Sequence, residues 1–106
     1  MRSKGNQPNA EQKAFREKLR DLYPGFVIHH IFGATAKVKI DLISENIGHW
    51  GIIALTVGEH HNIHKSSDRK AEEKSIFEEQ MRMYFSRYFE MPVPDEVFKA
   101  ILEWRM

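Results

Sequence analysis

The residues of this chain best suited to chemistry are its six histidines, all between positions 29 and 64. They group as His29-His30, His49, and His60-His61-x-x-His64. Cysteine is absent from the 106 residues, which excludes a disulfide framework and thiolate metal sites. Any transition metal must therefore be held by histidine with carboxylate or water. His60 and His64 are four positions apart where a helix is predicted, so both rings share one face with Cβ atoms ~6 Å apart, near enough to chelate one ion. Helix surfaces also carry such pairs without an ion, and the spacing gains meaning only beside other donors. His29-His30 follows an apolar strand, where neighbouring side chains point to opposite faces. The two then take different parts, one completing a metal site and the other standing free to accept a proton. With an ordinary pKa near ~6.5, a free imidazole suits a general base at neutral pH. A pair of half-buried histidines bonded to backbone carbonyls is the competing reading, and the downstream His-x-x-x-His disfavours it.

The elements that must carry these residues are legible from local patterns. Asn9-Ala-Glu-Gln12 has the form of a capping box, and Phe15, Leu19, Leu22 and Tyr23 recur at helical spacing, predicting a helix over 10–22 stopped by Pro24-Gly25. Phe26-Val-Ile28 predicts a strand leading into His29-His30. Gly33 to Lys37 reads as a loop, Val38 and Ile40 as an exposed strand, Ser44 to Gly48 as a turn, and Trp50 to Leu55 as a buried strand. Thr56-Val-Gly-Glu59 repeats the capping box and predicts a short helix from Val57 carrying His60, His61 and His64. Ser66, Ser67 or Asp68 caps a longer helix to about Glu90, with Phe77, Met81, Tyr84, Phe85 and Tyr88 facing the core. Met91-Pro-Val-Pro94 breaks it, and Pro94 opens a last helix through Trp104 with Val97, Ile101 and Leu102 inward. The expected fold class is α+β: a small antiparallel β-hairpin plus helix surrounded by three further helices, in one domain over 9–106 behind a disordered basic tail over 1–8.

Apolar residues make up 42% and charged residues 29% of the chain, ordinary values for a globular protein. No apolar run approaches a membrane span and the start lacks the form of a signal peptide, so a cytoplasmic location is the default expectation. The net charge of +1 is unevenly spread: residues 1–20 hold six basic and two acidic groups, residues 72–106 five basic and eight acidic. A basic head on a near-neutral whole suits nucleic-acid contact at one end, or a solvated charged tail. Lys37, Lys39, Lys65, Arg69 and Lys70 flank the histidines and could contact DNA phosphates, or be plain surface charge. Trp50 either belongs to the core or stacks on a base of an opened strand.

Val27-Ile-His-His-Ile31, a spacer, Ile52-Ile-Ala-Leu55 and Glu59-His-His-Asn-Ile-His-Lys65 together resemble the HNH (ββα-metal) endonuclease motif. The tandem histidine with a terminal His-x-x-x-His is similar to the nuclease colicins and small phage nucleases. Ile53-Ala-Leu55 takes the place of an Ile-Pro-Leu that commonly precedes the histidine pair, which aligns His60 and His64 and leaves His61 extra. The resemblance implies metal ligands at His29, His60 and His64 and a general base at His30. The asparagine that orients the base falls at Gly51, which has no side chain. His49 is the expected substitute, as a second catalytic residue, and Asn46 a weaker one. Residues 3–22, His29 to Lys37, Gly48-His-Trp50, Pro92 to Val97 and Ile101 to Trp104 resemble more narrowly the RecA-dependent nuclease family of phage recombination-enhancement (Ref) proteins. That family implies Mg²⁺-dependent cutting or nicking of DNA where a RecA filament has paired a strand.

The expected function is thus one-metal hydrolysis of DNA phosphodiester bonds, with DNA and a RecA filament as partners. Three imidazoles suit Zn²⁺ or Ni²⁺ better than Mg²⁺, so zinc is expected as the bound species and Mg²⁺ or Mn²⁺ for activity. The alternative is a non-enzymatic, zinc-stabilised DNA- or RecA-binding module with a decayed HNH site, which Gly51 keeps open.

Overall fold

Asn9 starts the first helix as its sequence requires. Its side chain accepts a hydrogen bond from the Gln12 backbone N–H (2.8 Å), and the Gln12 carboxamide accepts from the Asn9 N–H (2.9 Å). The helix, α1, runs Ala10–Leu22 and buries Phe15 and Leu19. Gly25, at φ +83°, turns the chain after it, a conformation that costs a residue without Cβ little. The computed structural model describes residues 8–33, 37–40 and 43–103, with 37–40 and 43–46 described as backbone. Most of the expected N-terminal tail, the tip of the Gly33–Lys37 loop and Trp104 lie outside the described residues.

Strand β1 (Val27–His30) pairs antiparallel with β4 (Ile52–Leu55), in a register that sets His29 opposite Ile53 and His30 opposite Ile52. All four residues of β4 are buried, because α1 and the long helix α3 (Arg69–Tyr88) both pack against it. An uninterrupted apolar run is what a strand covered on both faces needs. Between β1 and β4 lies a second antiparallel pair, β2 (Lys37–Ile40) with β3 (Ile43–Asn46). The first was expected; the second replaces the predicted Ser44–Gly48 turn. Ile-Ser-Glu-Asn has turn-forming composition, and only pairing with β2 makes it a strand. The turn lies further on, where the Trp50 and Gly51 N–H groups both bond to the Ile47 carbonyl (3.2 and 2.9 Å). The strand that follows accordingly begins at Ile52, two residues after Trp50.

Thr56 caps α2 (Val57–Ile63) by the reciprocal pair expected: its hydroxyl accepts from the Glu59 N–H (3.1 Å) while the Glu59 carboxylate accepts from the Thr56 N–H (2.9 Å). His64 is the C-cap residue of this helix. Helix α3 has Asp68 at its N-cap position, without a side-chain capping bond. Phe77, Met81 and Tyr84 are buried as expected, but Phe85 is 52% exposed and Phe89 81%. At ~100° per residue Phe85 lies about 80° round from Phe77, while Glu73, Gln80 and Tyr88 fall nearer the stripe's centre. The helix ends at Tyr88 because Phe89 adopts a left-handed conformation (φ 57°). In the last helix, α4 (Asp95–Glu103), Pro94 precedes the first turn and its carbonyl accepts from the Phe98 N–H (2.8 Å). Val97 and Ile101 are buried and Leu102 packs partly against the core.

The fold is therefore α+β: an antiparallel strand pair and the short helix that follows it, enclosed by three further helices. Among the described residues, no helix is long and apolar enough to cross a membrane.

Candidate metal and catalytic site

The β1–β4 register and the Thr56 cap together decide where the histidines meet. His29, 5% exposed, points from β1 towards α2, and its ring lies 5.1 Å from that of His60 and 5.5 Å from that of His64, centroid to centroid. The His60 and His64 rings are 4.9 Å apart, with their Nε2 atoms separated by 3.4 Å. Among the described residues, these three histidines form a group whose ligand atoms all lie within 4.8 Å of one another. The 3.4 Å between the His60 and His64 Nε2 atoms matches two ligands of one tetrahedral ion, and the ring spacings of all three histidines are close to that arrangement. Two nitrogens bonded at the usual zinc distance stand roughly 3.3 Å apart, and their ring centres roughly 5 Å. Lost solvent contact, then Arg69, His60 and His29 nearby, hold His64 below the ordinary imidazole pKa and keep its lone pair available.

His30 lies apart from the clamp, next to His49 (ring centroids 5.4 Å). Its Nε2 is buried, and among the described residues nothing hydrogen-bonds to it. Burial first, then His49, Arg16 and His29, lowers its pKa. A neutral imidazole with an unused nitrogen is the state a general base requires. Arg16 on α1 also has a buried Nε without a partner among the described residues. Sequence reasoning gave Arg16 only to a basic head; it lies on the helix face beside Phe15, and no local pattern marks it.

The position where the resemblance places an asparagine has a definite structure. A Cβ on Gly51 would meet the Phe32 ring at 2.8 and 3.0 Å and the Ile47 carbonyl at 3.4 Å. Phe32 occupies the space, and backbone bonds tie the segment: the Gly51 carbonyl accepts from the Ile31 N–H at 2.9 Å. His49, in the turn before it and 8% exposed, lies beside His30, with ring centroids 5.4 Å apart. The side chain of Asn46 lies outside the described residues.

His61 is exposed and stands outside the cluster. Lys65 and Lys70 are exposed near the clamp, and Arg69 is partly exposed at the start of α3. The side chains of Lys37 and Lys39 lie outside the described residues. Trp50 is 2% exposed and packs on Phe15 (5.8 Å between ring centroids), so it is a core residue and not a stacking platform.

Glu73 was missed. It is 2% exposed, with Oε2 2.6 Å from His29 Nε2 and 3.0 Å from Arg69 Nε. The signal in the sequence is its phase: a glutamate four residues before Phe77 falls on the buried stripe of α3. No protein-family profile matches the chain, and neither curated proteins nor solved structures yield a match.

Proposed function

We propose that the chain is a metal-dependent DNA endonuclease that hydrolyses phosphodiester bonds at a single ion. The observation that carries the reading is the convergence of His29, His60 and His64, together with a separate histidine, His30, whose buried Nε2 has no partner among the described residues. His30 Nε2 accepts a proton from water, and the hydroxide attacks phosphorus in line. The bond to the leaving sugar oxygen breaks with its electron pair, and that oxygen takes a proton from solvent. A divalent ion at His29, His60 and His64 would offset charge on the phosphate and the leaving oxygen. His49 orients the base. Lys65, Arg69 and Lys70, with Lys37 and Lys39, supply charge for the DNA backbone. The resemblance adds action in RecA-linked recombination, in a phage or prophage setting.

The test is a nicking assay on supercoiled plasmid and on RecA-paired DNA with Mg²⁺ or Mn²⁺, comparing wild type with His30→Ala and His64→Ala. Product that depends on both histidines supports the proposal, whereas intact DNA under every condition rejects it. A His30→Ala variant as fast as wild type, beside an inactive His64→Ala, means that another group is the base. Phe32 filling the space at Gly51 favours a second reading, a zinc-stabilised DNA- or RecA-binding module without catalysis. It predicts one bound zinc and retained DNA but no product.

A further inference from the structure

Glu73 reaches the histidine cluster from α3, an element that the paired strands and α2 do not include. A carboxylate this deeply buried persists only with compensating partners, and among the described residues these include His29 at 2.6 Å and Arg69 at 3.0 Å. It could act as a further ligand or as a hydrogen-bond acceptor behind a ligand, and distance separates these roles. Two donors on one tetrahedral ion stand roughly 3.3 Å apart. His60 and His64 meet that figure at 3.4 Å; Glu73 and His29, at 2.6 Å, are well inside it. The shorter separation is that of a strong, charge-assisted hydrogen bond. Glu73 also stands outside the group of mutually close ligand atoms and meets it at His29.

A neutral imidazole has one N–H and one lone pair. We infer that Glu73, held by Arg69, keeps the His29 proton on Nε2, so that His29 offers Nδ1 to an ion while His60 and His64 offer Nε2. Glu73 is then a positioning residue, and among the described residues the protein supplies three ligands and leaves the fourth place to water or substrate. That is the pattern of catalytic zinc sites, as opposed to closed structural ones. The inference rests on the metal-site reading above.

The test is long-range ¹H–¹⁵N correlation spectroscopy of the ¹⁵N-labelled full chain with one equivalent of Zn²⁺, together with zinc affinities by competition. Expected are a zinc-shifted Nδ1 and a protonated Nε2 on His29, with the reverse on His60 and His64. Glu73→Ala lowers zinc affinity about 10–100-fold. Glu73→Gln, whose carboxamide oxygen still accepts from Nε2–H, recovers most of the affinity and keeps the labelling pattern. Zinc on His29 Nε2, or unchanged affinity in Glu73→Ala, overturns the inference and leaves the metal site standing. Failure of the wild-type chain to bind zinc removes both. The wild-type spectrum decides the matter even where a Glu73 variant does not fold.

Discussion

Gln80 binds the backbone of Ala54 as a neighbouring strand would. Its carboxamide oxygen accepts from the Ala54 N–H and its NH₂ donates to the Ala54 carbonyl, both at 2.8 Å. Gln80 is 6% and Ala54 1% exposed, so both bonds are shielded from water. One side chain of α3 thereby satisfies polar groups in the middle of β4, the strand that sets the register of His29 and His30. Replacing Gln80 by leucine keeps the apolar bulk but leaves two buried backbone groups unpaired. Gln80→Leu should destabilise the fold by about 2–4 kcal/mol in urea denaturation; a loss below about 0.5 kcal/mol would show the two Gln80–Ala54 bonds to be dispensable.

How far such features can be read from sequence depends on the reach of the interaction. The caps at Asn9 and Thr56 were legible because both partners lie within three residues. β4 was legible because its apolar run needs no knowledge of what covers it. The clamp needed only a helix under His60 and His64 and a strand under His29. β3 was not legible: Ile-Ser-Glu-Asn is a strand only because β2 lies beside it. Glu73 and Gln80 resemble surface residues until their partners, His29 and Ala54, arrive from 44 and 26 positions away. Phe85, at i+8 from Phe77, has helical spacing, yet its angle round the helix puts it at the margin of the buried stripe, where it is exposed.

An ion at the proposed site should stabilise the fold, because His29 comes from β1 and His60 and His64 from α2 and its C-cap, and the three meet only in the folded chain. At a free zinc concentration of about 100 times Kd, one site adds about 2.7 kcal/mol. A matching rise in Tm is expected for wild type, reversed by a chelator and absent in His64→Ala. An equal rise in His64→Ala would place the ion elsewhere.

The metal-free protein should lose stability in mild acid through His30. Its folded pKa lies below the ordinary 6.5, held there by burial and by His49, Arg16 and His29. The unfolded chain therefore takes up the proton first. The contribution is complete above about 6.5 and is lost as pH falls towards the lowered folded value. Urea midpoints at a series of pH values should fall across that window, and His30→Gln should make the slope shallower. An identical slope in the variant refutes the assignment.

Gly51→Asn, which would place an asparagine where the HNH resemblance expects one, should destabilise the protein. Its Cβ alone meets the Phe32 ring at 2.8 Å. A cost of about 1–3 kcal/mol is expected from overpacking. The double variant Phe32→Ala/Gly51→Asn should show coupling of at least 0.5 kcal/mol, the asparagine costing less where the ring is gone. Strict additivity in this cycle would show that the two positions do not compete for space.

The Phe32–Gly51 contact also constrains how this protein can change over generations. An asparagine at 51 meets the phenylalanine, and a small residue at 32 leaves a void beside a bare glycine, so either single step passes through a weaker fold. Where the double-variant cycle shows the expected coupling, the two positions form an epistatic pair, and the route from this arrangement to one with asparagine at 51 crosses a valley. A histidine at 49, the proposed substitute for that asparagine, changes neither member of the pair.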